Sequence, residues 1–320
     1  MPESSSHHGA ALALSNASTT ATLAAMRSDE LAIDRLFAEH RCTHAYLDVG
    51  TNIGVQLRKL FEPSKYPKSL VLKLFERSFG AAEERCKVCA FGFEPNPRRR
   101  PRLLELMTQL RRAGAPVHVF FGAASDVDGI ASFGMGRVTR PGQVDWSASA
   151  HPLFHRRFGL ANKLHVRSID LGRILRRVDY NVRDGGGGAW ARRPAAQMVM
   201  KLDTEGAEYT LLTHLILTQA ACLLDVIDVE WHDKFLRQAV KANRTTRVAA
   251  DGSPALRTDT TGAAAINALT SPNAISGLPA LYKKALSGRT PDCRASLLSI
   301  NDETYLQDGM PWPSGRLCGH

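Results

Sequence analysis

The sequence has no long hydrophobic run and no segment with the pattern of a secretory signal. The apolar runs in its 320 residues are far shorter than the roughly 20 residues that a membrane-spanning helix needs, so we expect no transmembrane segment. Residues 1–20 show no basic stretch followed by a continuous apolar stretch, as a secretory signal would. These two absences make the cytoplasm the expected location.

Cysteine is scarce, with six residues in the chain, whereas disulfide scaffolds are cysteine-dense. Cys86 and Cys89 form a single C-x-x-C pair, and a zinc site would need a second pair or two suitably spaced histidines. Cys222 lies in an apolar stretch, which is typical of a buried free thiol. The sequence therefore predicts reduced cysteines and, because no other set of residues has ligand spacing, no metal site.

Lys and Arg number 41 against 31 Asp and Glu, so the formal net charge is 41 − 31 = +10. A basic surface can bind nucleic acid, phosphorylated sugars or a membrane surface. The sequence has no long basic tail and no basic–aromatic pattern of the kind found in RNA-binding modules. Nucleic acid is therefore not the expected partner.

Short apolar stretches alternate with helical patterns along the chain, which predicts a doubly wound α/β fold whose mostly parallel sheet has helices on both faces. The predicted main strands are Ala45–Val49, Val88–Phe93, Val117–Phe121, Met198–Leu202 and Leu223–Glu230. Helices are predicted at Gly54–Phe61, Ser69–Phe79, Arg100–Arg112 and Glu208–Leu217. Ala280–Leu286 and Ala295–Ile300 resemble a closing hairpin.

Composition predicts where the domain begins and where it is interrupted. Residues 1–30 are rich in Ser, Ala, Thr and His, which indicates a disordered tail, followed by one domain over residues 31–320. A glycine run predicts a flexible insertion near residues 184–194, and a stretch rich in Thr, Ala, Gly and Asn predicts another near residues 241–276.

An acid–glycine loop, LDVGTNIG at residues 47–54, follows the first predicted strand and opens a helix. Gly50 allows the backbone to pass close to a ligand, and Gly54 allows the helix to pack near the loop. Asp48 can accept a hydrogen bond from the cationic amino group of a methionine moiety, and Asn52 lies in the same loop. A dinucleotide loop reads G-x-G-x-x-G to seat a pyrophosphate, whereas adenosylmethionine has no phosphate. The alternative is a tight turn without a ligand.

Two further strand ends carry candidate cofactor residues. The segment GFEPNP places Glu94 at the carboxyl edge of the sheet, where a carboxylate can accept hydrogen bonds from both ribose hydroxyls. After the third strand, Ala124 is small enough to let an adenine approach, and Ser125 can accept from its amino group. Alternatively, Glu94 is a solvated acid in a turn, and Ala124 and Ser125 belong to a polar turn that binds no ligand.

The last two strand ends carry candidate catalytic groups. KLDTEGAE at residues 201–208 brings Asp203 and Glu205 to the exit of the fourth strand, and DVEWH adds His232 after the fifth. Alternatively, Asp203 or Thr204 caps the following helix, and Glu205 lies in its first turn, where an acidic residue is favourable. A lone histidine is usually structural, so only its position at a strand end makes His232 a catalytic candidate.

Together the motifs LDVGTNIG, GFEPNP, VRSIDLGRIL, KLDTEGAE and VEWH, in that order, resemble the FkbM family of methyltransferases over residues 42–235, with a weaker match at residues 298–313. The resemblance implies the class I methyltransferase fold, which is Rossmann-like, with seven strands of which the last is antiparallel. It implies S-adenosyl-L-methionine as cofactor, bound by Asp48, Gly50, Gly54 and Glu94, and O-methylation of a sugar or other small molecule.

The sequence thus predicts an S-adenosylmethionine-dependent methyltransferase whose partner is a small-molecule or glycan acceptor. Asp203 is the first candidate for the general base, followed by Glu205 and His232. Two alternatives remain open. One is an NAD(P)-dependent oxidoreductase, which the absence of G-x-G-x-x-G disfavours. The other is a non-catalytic basic binding module with a degenerate methyltransferase fold, which the acids at every expected strand end disfavour.

Overall fold

The structure is a computed structural model that describes residues 6–135, 162–184, 196–233, 272–287, 293, 295–300, 302 and 308–318, with side chains at residues 19–134, 164–183 and 277–287 and in the remaining described segments. The insertions predicted near residues 184–194 and 241–276 lie almost entirely outside these residues. None of the described helices is both long enough and apolar enough to cross a membrane.

Strands and helices alternate along the described chain, as the sequence predicts. The strands are β1 His44–Val49, β2 Val88–Phe93, β3 Val117–Phe120, β4 Ala123–Ser125, β5 Gly129–Met135, β6 Asn162–Asp170, β7 Met198–Leu202, β8 Val226–Val229 and β9 Ser296–Leu298. The helices are α1 Ser6–His40, α2 Val55–Phe61, α3 Leu72–Phe79, α4 Arg100–Arg112, α5 Leu171–Asp184, α6 Glu208–Leu217 and α7 Pro272–Ser287. The five predicted main strands are confirmed.

The main sheet of the described residues has six strands in the order β3-β2-β1-β7-β8-β9, and every pairing in it is parallel. Strands β4, β6 and β5 form a separate small sheet in that order. The chain builds the main sheet outward from β1 in one direction and then from β7 in the other. The strand order therefore reverses between β1 and β7, and ligands of doubly wound sheets bind outside the carboxyl ends of the strands at such a point.

Helices cover both faces of the main sheet, which explains why its strands are mostly apolar, with the charged residues Asp48, Lys201 and Asp228 as exceptions. Successive strand residues face opposite sides, so Ala45, Leu47 and Val49 pack in one core and Tyr46 in the other. The first core contains side chains from α1, α5, α6 and α7, and the second contains side chains from α2, α3 and α4. The doubly wound α/β architecture is thus confirmed.

The carboxy-terminal elements differ from the sequence prediction. Residues 280–286 belong to α7, not to a hairpin, because Leu278, Tyr282 and Leu286 recur at helical spacing and bury one face of the helix. Pro279 lies inside this helix and obscured the pattern. β9 pairs with β8 in parallel, so the described part of the sheet contains no antiparallel seventh strand.

Helix α1 differs from the disordered tail that the composition of residues 1–30 suggests. The helix extends to His40, and Asp29 near its middle is 5% exposed. Asp29 forms ion pairs with Arg167 on β6 and with Arg173 on α5, the latter at 3.0 Å. A buried, paired carboxylate fixes this part of the helix against the domain, an effect that composition alone does not reveal.

All six cysteines form disulfides, so the prediction of reduced thiols is wrong. The pairs are Cys42–Cys89, Cys86–Cys318 and Cys222–Cys293, with sequence separations of 47, 232 and 71 residues. The two members of the C-x-x-C segment bond to different partners. Because each pair is formed between residues distant in sequence, spacing along the chain gave no sign of it.

The last described segment, residues 308–318, lies across the outside of α2 and α4. Arg58 on α2 is fully buried and donates hydrogen bonds to Asp308 and to the carbonyl oxygens of Met310 and Pro311 at 2.7–2.9 Å. The Trp312 ring lies 4.9 Å from the Arg58 guanidinium. The segment ends at the Cys86–Cys318 disulfide, which attaches it covalently to the domain.

Candidate active site

The loops that follow β1 and β7 meet at the carboxyl edge of the sheet. Asp203 N donates a 2.9 Å hydrogen bond to Val49 O, and a Cβ atom added to Gly50, whose φ is +93°, would lie 1.7 Å from Asp203 O. The β7 loop therefore requires glycine at position 50, whether or not a ligand approaches it as well. A Cβ atom on Gly54 would lie 2.3 Å from the Leu106 side chain on α4, so the absence of a side chain at position 54 allows α4 to approach.

Asp48 is a completely buried carboxylate at the end of β1. Neither of its oxygens has a hydrogen-bond partner within the described structure. Burial, together with the Asp203 carboxylate, raises its pKa to about 6 against the opposing effect of Lys201, the residue opposite it on β7. A buried acceptor without a donor costs free energy, which indicates a site that a donor such as an ammonium group would complete.

A small cavity of about 20 Å³ lies beside the β1 loop, lined by residues 50–53, Val55 and Gln56 on one side and by Lys201 and Asp203 on the other; the buried Asp48 precedes these residues and is not part of the lining. Gln56 is 4% exposed, and both polar atoms of its amide are buried without partners in the described structure. The Asn52 Oδ1 atom is also buried and unpartnered. The lining therefore offers donors and acceptors suited to a polar ligand.

Glu94 connects the β1 loop to the β2 loop. Its Oε2 accepts from Asn52 N at 2.8 Å, and its Oε1 accepts from Asn96 N at 2.7 Å. Asn52 has a φ of +53°, a left-handed conformation that turns its N–H towards this carboxylate. Burial raises the pKa of Glu94 to about 7. Each oxygen retains a lone pair, so the carboxylate can accept further hydrogen bonds from a ligand.

The predicted adenine contacts Ala124 and Ser125 lie on β4 of the small sheet. Ala124 packs against the first core, and the Ser125 hydroxyl donates to Asp126 at 3.1 Å. The described contacts do not bring either residue to the cavity beside the β1 loop.

Asp203 does not cap helix α6. The helix begins at Glu208 with Ala207 at the N-cap, and no side chain caps it. The Asp203 Oδ2 atom instead accepts from Lys201 Nζ at 2.6 Å, and this nearby ammonium lowers the pKa of Asp203 against the effect of burial. Lys201 Nζ also lies 3.7 Å from Glu230 Oε2, and burial raises the pKa of Glu230 to about 7.

The β7 and β8 exits also bring Glu205, Glu208 and His232 together. His232 Nδ1 lies 2.9 Å from Glu208 Oε1, and His232 Nε2 lies 3.5 Å from Glu205 Oε2. The carboxylates around the imidazole raise the pKa of His232 to about 10, whereas burial acts in the opposite direction. The surrounding carboxylates therefore favour the charged form of His232.

The three candidate bases differ in exposure and in their partners. The exposed fraction of the side chain is 33% for Glu205, 15% for Asp203 and 8% for His232. Burial raises the pKa of Glu205 to about 7, near the value best suited to a general base at neutral pH. Glu205 is thus the most accessible of the three, while Asp203 is paired with Lys201 and the charged form of His232 is favoured.

Protein-family models, curated proteins and solved structures were all compared with this chain. None of them matches it. The activity is therefore inferred from the chemistry of the site.

Asp203, Glu208 and His232 each place one potential metal-ligand atom within 4.8 Å of the others. Glu208 accepts hydrogen bonds from Thr204 N and Gly206 N, and its Oε1 lies at hydrogen-bond distance from His232 Nδ1, so the described groups satisfy this carboxylate without an ion. These contacts favour a network of ion pairs over a metal centre.

Sequence analysis did not assign roles to Lys201, Gln56, Glu208 or Glu230. Lys201 and Glu230 belong to the motifs KLDTEGAE and VEWH, so their place in the site could have been predicted from the sequence. Gln56 lies on α2, all of whose residues are buried, and a polar residue in such a helix could have indicated a binding site. The contact between Glu208 and His232 joins residues 24 positions apart, and only the packing of α6 beside β8 shows it.

Proposed function

We propose that the protein is an S-adenosyl-L-methionine-dependent methyltransferase that transfers a methyl group to a hydroxyl of a sugar or other small molecule. The observation that carries the proposal is Asp48, a fully buried carboxylate with no hydrogen-bond partner among the described residues, located where the strand order of the sheet reverses. Asp48 lies within LDVGTNIG, the first of the motifs that resemble the FkbM family.

The polar atoms near the cavity match the polar groups of this donor, and the cavity, at about 20 Å³, must widen to admit it. Asp48 would accept from its ammonium group, and Gln56 offers an amide to the same polar end. Glu94 would accept from the ribose hydroxyls with the lone pairs that Asn52 N and Asn96 N leave unused. A pyrophosphate fits less well, because the Asp48 carboxylate would repel it. This favours a methyltransferase over a nicotinamide-dependent oxidoreductase.

Glu205 is the proposed general base. The sulfonium donor supplies an electrophilic methyl group and leaves as a neutral thioether. Glu205 takes the proton from the acceptor hydroxyl while the acceptor oxygen forms its new bond to the methyl carbon. Lys201 and His232 balance the charges of the surrounding carboxylates, so Glu205 can ionise near neutral pH.

The three disulfides favour an oxidising compartment over the cytoplasm that sequence analysis expected. Disulfides persist in secretory and extracellular environments, and thiols are kept reduced in the cytosol. We therefore favour an acceptor that is present in such a compartment, for example a glycan.

Isothermal titration of the purified, oxidised protein tests cofactor identity. We expect binding of S-adenosylmethionine and of its demethylated product, and no binding of NADH at the same concentrations. Affinity for the cationic donor should fall as the pH drops below about 6, because Asp48 becomes protonated there. Binding of NADH without binding of either methionine derivative would contradict the proposal.

Substitution of the two acids after β7 tests the choice of base. We expect Glu205→Gln to lower the rate of methyl transfer by about 10²–10⁴-fold while cofactor affinity is retained. Asp203→Asn should perturb Lys201 and therefore affect cofactor binding as well. The measurement is transfer of labelled methyl to fractionated extract at saturating donor, with a thermal melt of each variant. Near-normal turnover by Glu205→Gln would show that another residue is the general base.

A further inference from the structure

We propose that Glu208 is a positioning residue that holds His232 as a fixed cation beside Glu205, and that this pair enables Glu205 to act on the acceptor hydroxyl. The inference deepens the proposed function and rests on it. Neither carboxylate–imidazole contact was expected from the sequence, where Glu208 had no role.

Glu208 is completely buried at the first position of α6. Its Oε1 accepts from Thr204 N at 2.8 Å and contacts His232 Nδ1 at 2.9 Å, and its Oε2 accepts from Gly206 N at 2.9 Å. One carboxylate therefore binds the backbone on both sides of Glu205 and the imidazole as well. Because Glu205 has a left-handed φ of +52°, its loop needs such support.

His232 follows β8 and is 7% exposed. With Nδ1 held by Glu208, its Nε2 lies 3.5 Å from Glu205 Oε2 and 3.9 Å from Asp203 Oδ1. The imidazole ring thus lies between a buried carboxylate and the two carboxylates of the β7 loop. Three acids around one ring explain why its charged form is favoured despite burial.

The charges that face Glu205 come from three elements. His232 lowers its pKa, whereas Asp203, Glu208 and Glu230 raise it together with burial. Lys201 is paired with Asp203 and lies near Glu230, so it offsets part of that negative charge. His232 is therefore the cation that directly favours an ionised Glu205. Without it, we expect Glu205 to remain protonated at neutral pH and unable to accept a proton from a hydroxyl.

The test combines nuclear magnetic resonance and kinetics on the full oxidised chain. Protein labelled with ¹⁵N-histidine reports the protonation of each imidazole, and the His232 signal is identified by its loss in His232→Gln. In the wild type we expect His232 to keep both ring protons at pH 8.5, consistent with a pKa of about 10. In Glu208→Gln, we expect that pKa to fall by about one unit or more.

The kinetic readout is the acidic limb of the pH profile of kcat/KM. In His232→Gln, which leaves the Glu208 contacts to Thr204 N and Gly206 N in place, we expect this limb to move upward by about one pH unit. His214→Asn is the matched control. His214 Nε2 also lies 3.0 Å from a carboxylate, that of Asp170, but this pair is outside the site and should not affect the profile.

Each outcome decides one of the two proposals. A wild-type His232 that loses a proton near pH 6.5 would overturn the positioning role, whatever the activity. An unshifted pH profile in His232→Gln, with the fold intact by thermal melt, would also overturn it. If His232 stays protonated in the wild type and responds to Glu208→Gln, but no acceptor is methylated, the charge arrangement stands and the proposed function fails.

Discussion

Replacing Asp48 with asparagine is expected to stabilise the protein and to weaken S-adenosylmethionine binding by about 10- to 100-fold. The folded state raises the pKa of Asp48 from 3.8 to about 6, so the ionised carboxylate destabilises the fold at neutral pH. A rise of two units corresponds to about 2–3 kcal/mol, and asparagine would recover only part of it because its own buried amide also lacks partners in the described structure. Asp203 and Glu230 remain beside Lys201 in this variant, so the buried ammonium group is still paired with carboxylates.

The sign of the pH dependence provides an internal check. A raised pKa means that the folded state binds the proton more tightly, so the wild type loses this stability as the pH rises from about 4 to about 6. The advantage of Asp48→Asn should therefore be largest at pH 7 and shrink towards pH 4. Thermal melts at several pH values measure it, and titration with the donor measures affinity.

Asp228→Asn is the matched control for Asp48→Asn. Asp228 lies on β8, opposite Lys201, and burial raises its pKa to about 6 as well. Its Oδ1 accepts from Ile300 N at 2.7 Å, whereas neither carboxylate oxygen of Asp48 has a partner in the described structure. We expect Asp228→Asn to leave donor affinity unchanged. Equal loss of affinity in both variants, or unchanged affinity in Asp48→Asn, would remove Asp48 from the cofactor site.

Reduction of the disulfides is expected to unfold the protein at moderate temperature. Loss of a native disulfide typically costs about 2–5 kcal/mol, and three such losses are comparable with the roughly 5–15 kcal/mol that stabilise a typical domain. The Cys86–Cys318 bond should matter most for the carboxy-terminal segment, because it closes a loop of 232 residues and ends the segment that buries Arg58.

Thermal melts with and without a reductant measure this effect, and mass spectrometry after alkylation counts free thiols. The double variant Cys86→Ser with Cys318→Ser isolates one bond, and Cys222→Ser with Cys293→Ser serves as its counterpart on the other side of the fold. Six alkylated thiols in unreduced protein, with a melting temperature insensitive to reductant, would contradict the disulfide assignment and restore the cytoplasmic interpretation.

Local patterns in the sequence predicted the strands, most helices and the chemical character of the site. A buried parallel strand is mostly apolar and short, so Val88–Phe93 and Met198–Leu202 were recognised to the residue. Once the strands are known, the residues after them must lie at one edge of the sheet. Asp48, Glu94 and Asp203 were therefore placed together before any contact was known.

Helix α7 and the base show where local patterns were insufficient. Pro279 concealed a helix that burial against the first core stabilises. Asp203 and Glu205 are both acids that follow the same strand, so local sequence does not show which of them is the base. Their partners distinguish them: Lys201 lies 2.6 Å from Asp203, and the His232 ring lies 3.5 Å from Glu205. Such differences depend on burial and neighbouring charge, which set a pKa and which no spacing encodes.

The amino-acid sequence by itself determined the alternation of strands and helices and the acids at the strand ends, because hydrophobic periodicity and strand-end position are properties of neighbouring residues. The tertiary structure decided which residues meet across the fold: the three disulfide pairs, the close approach of Gly50 to Asp203, and the contact of Glu208 with His232. These contacts join residues 24 to 232 positions apart, and only the packing of whole elements brings such residues together.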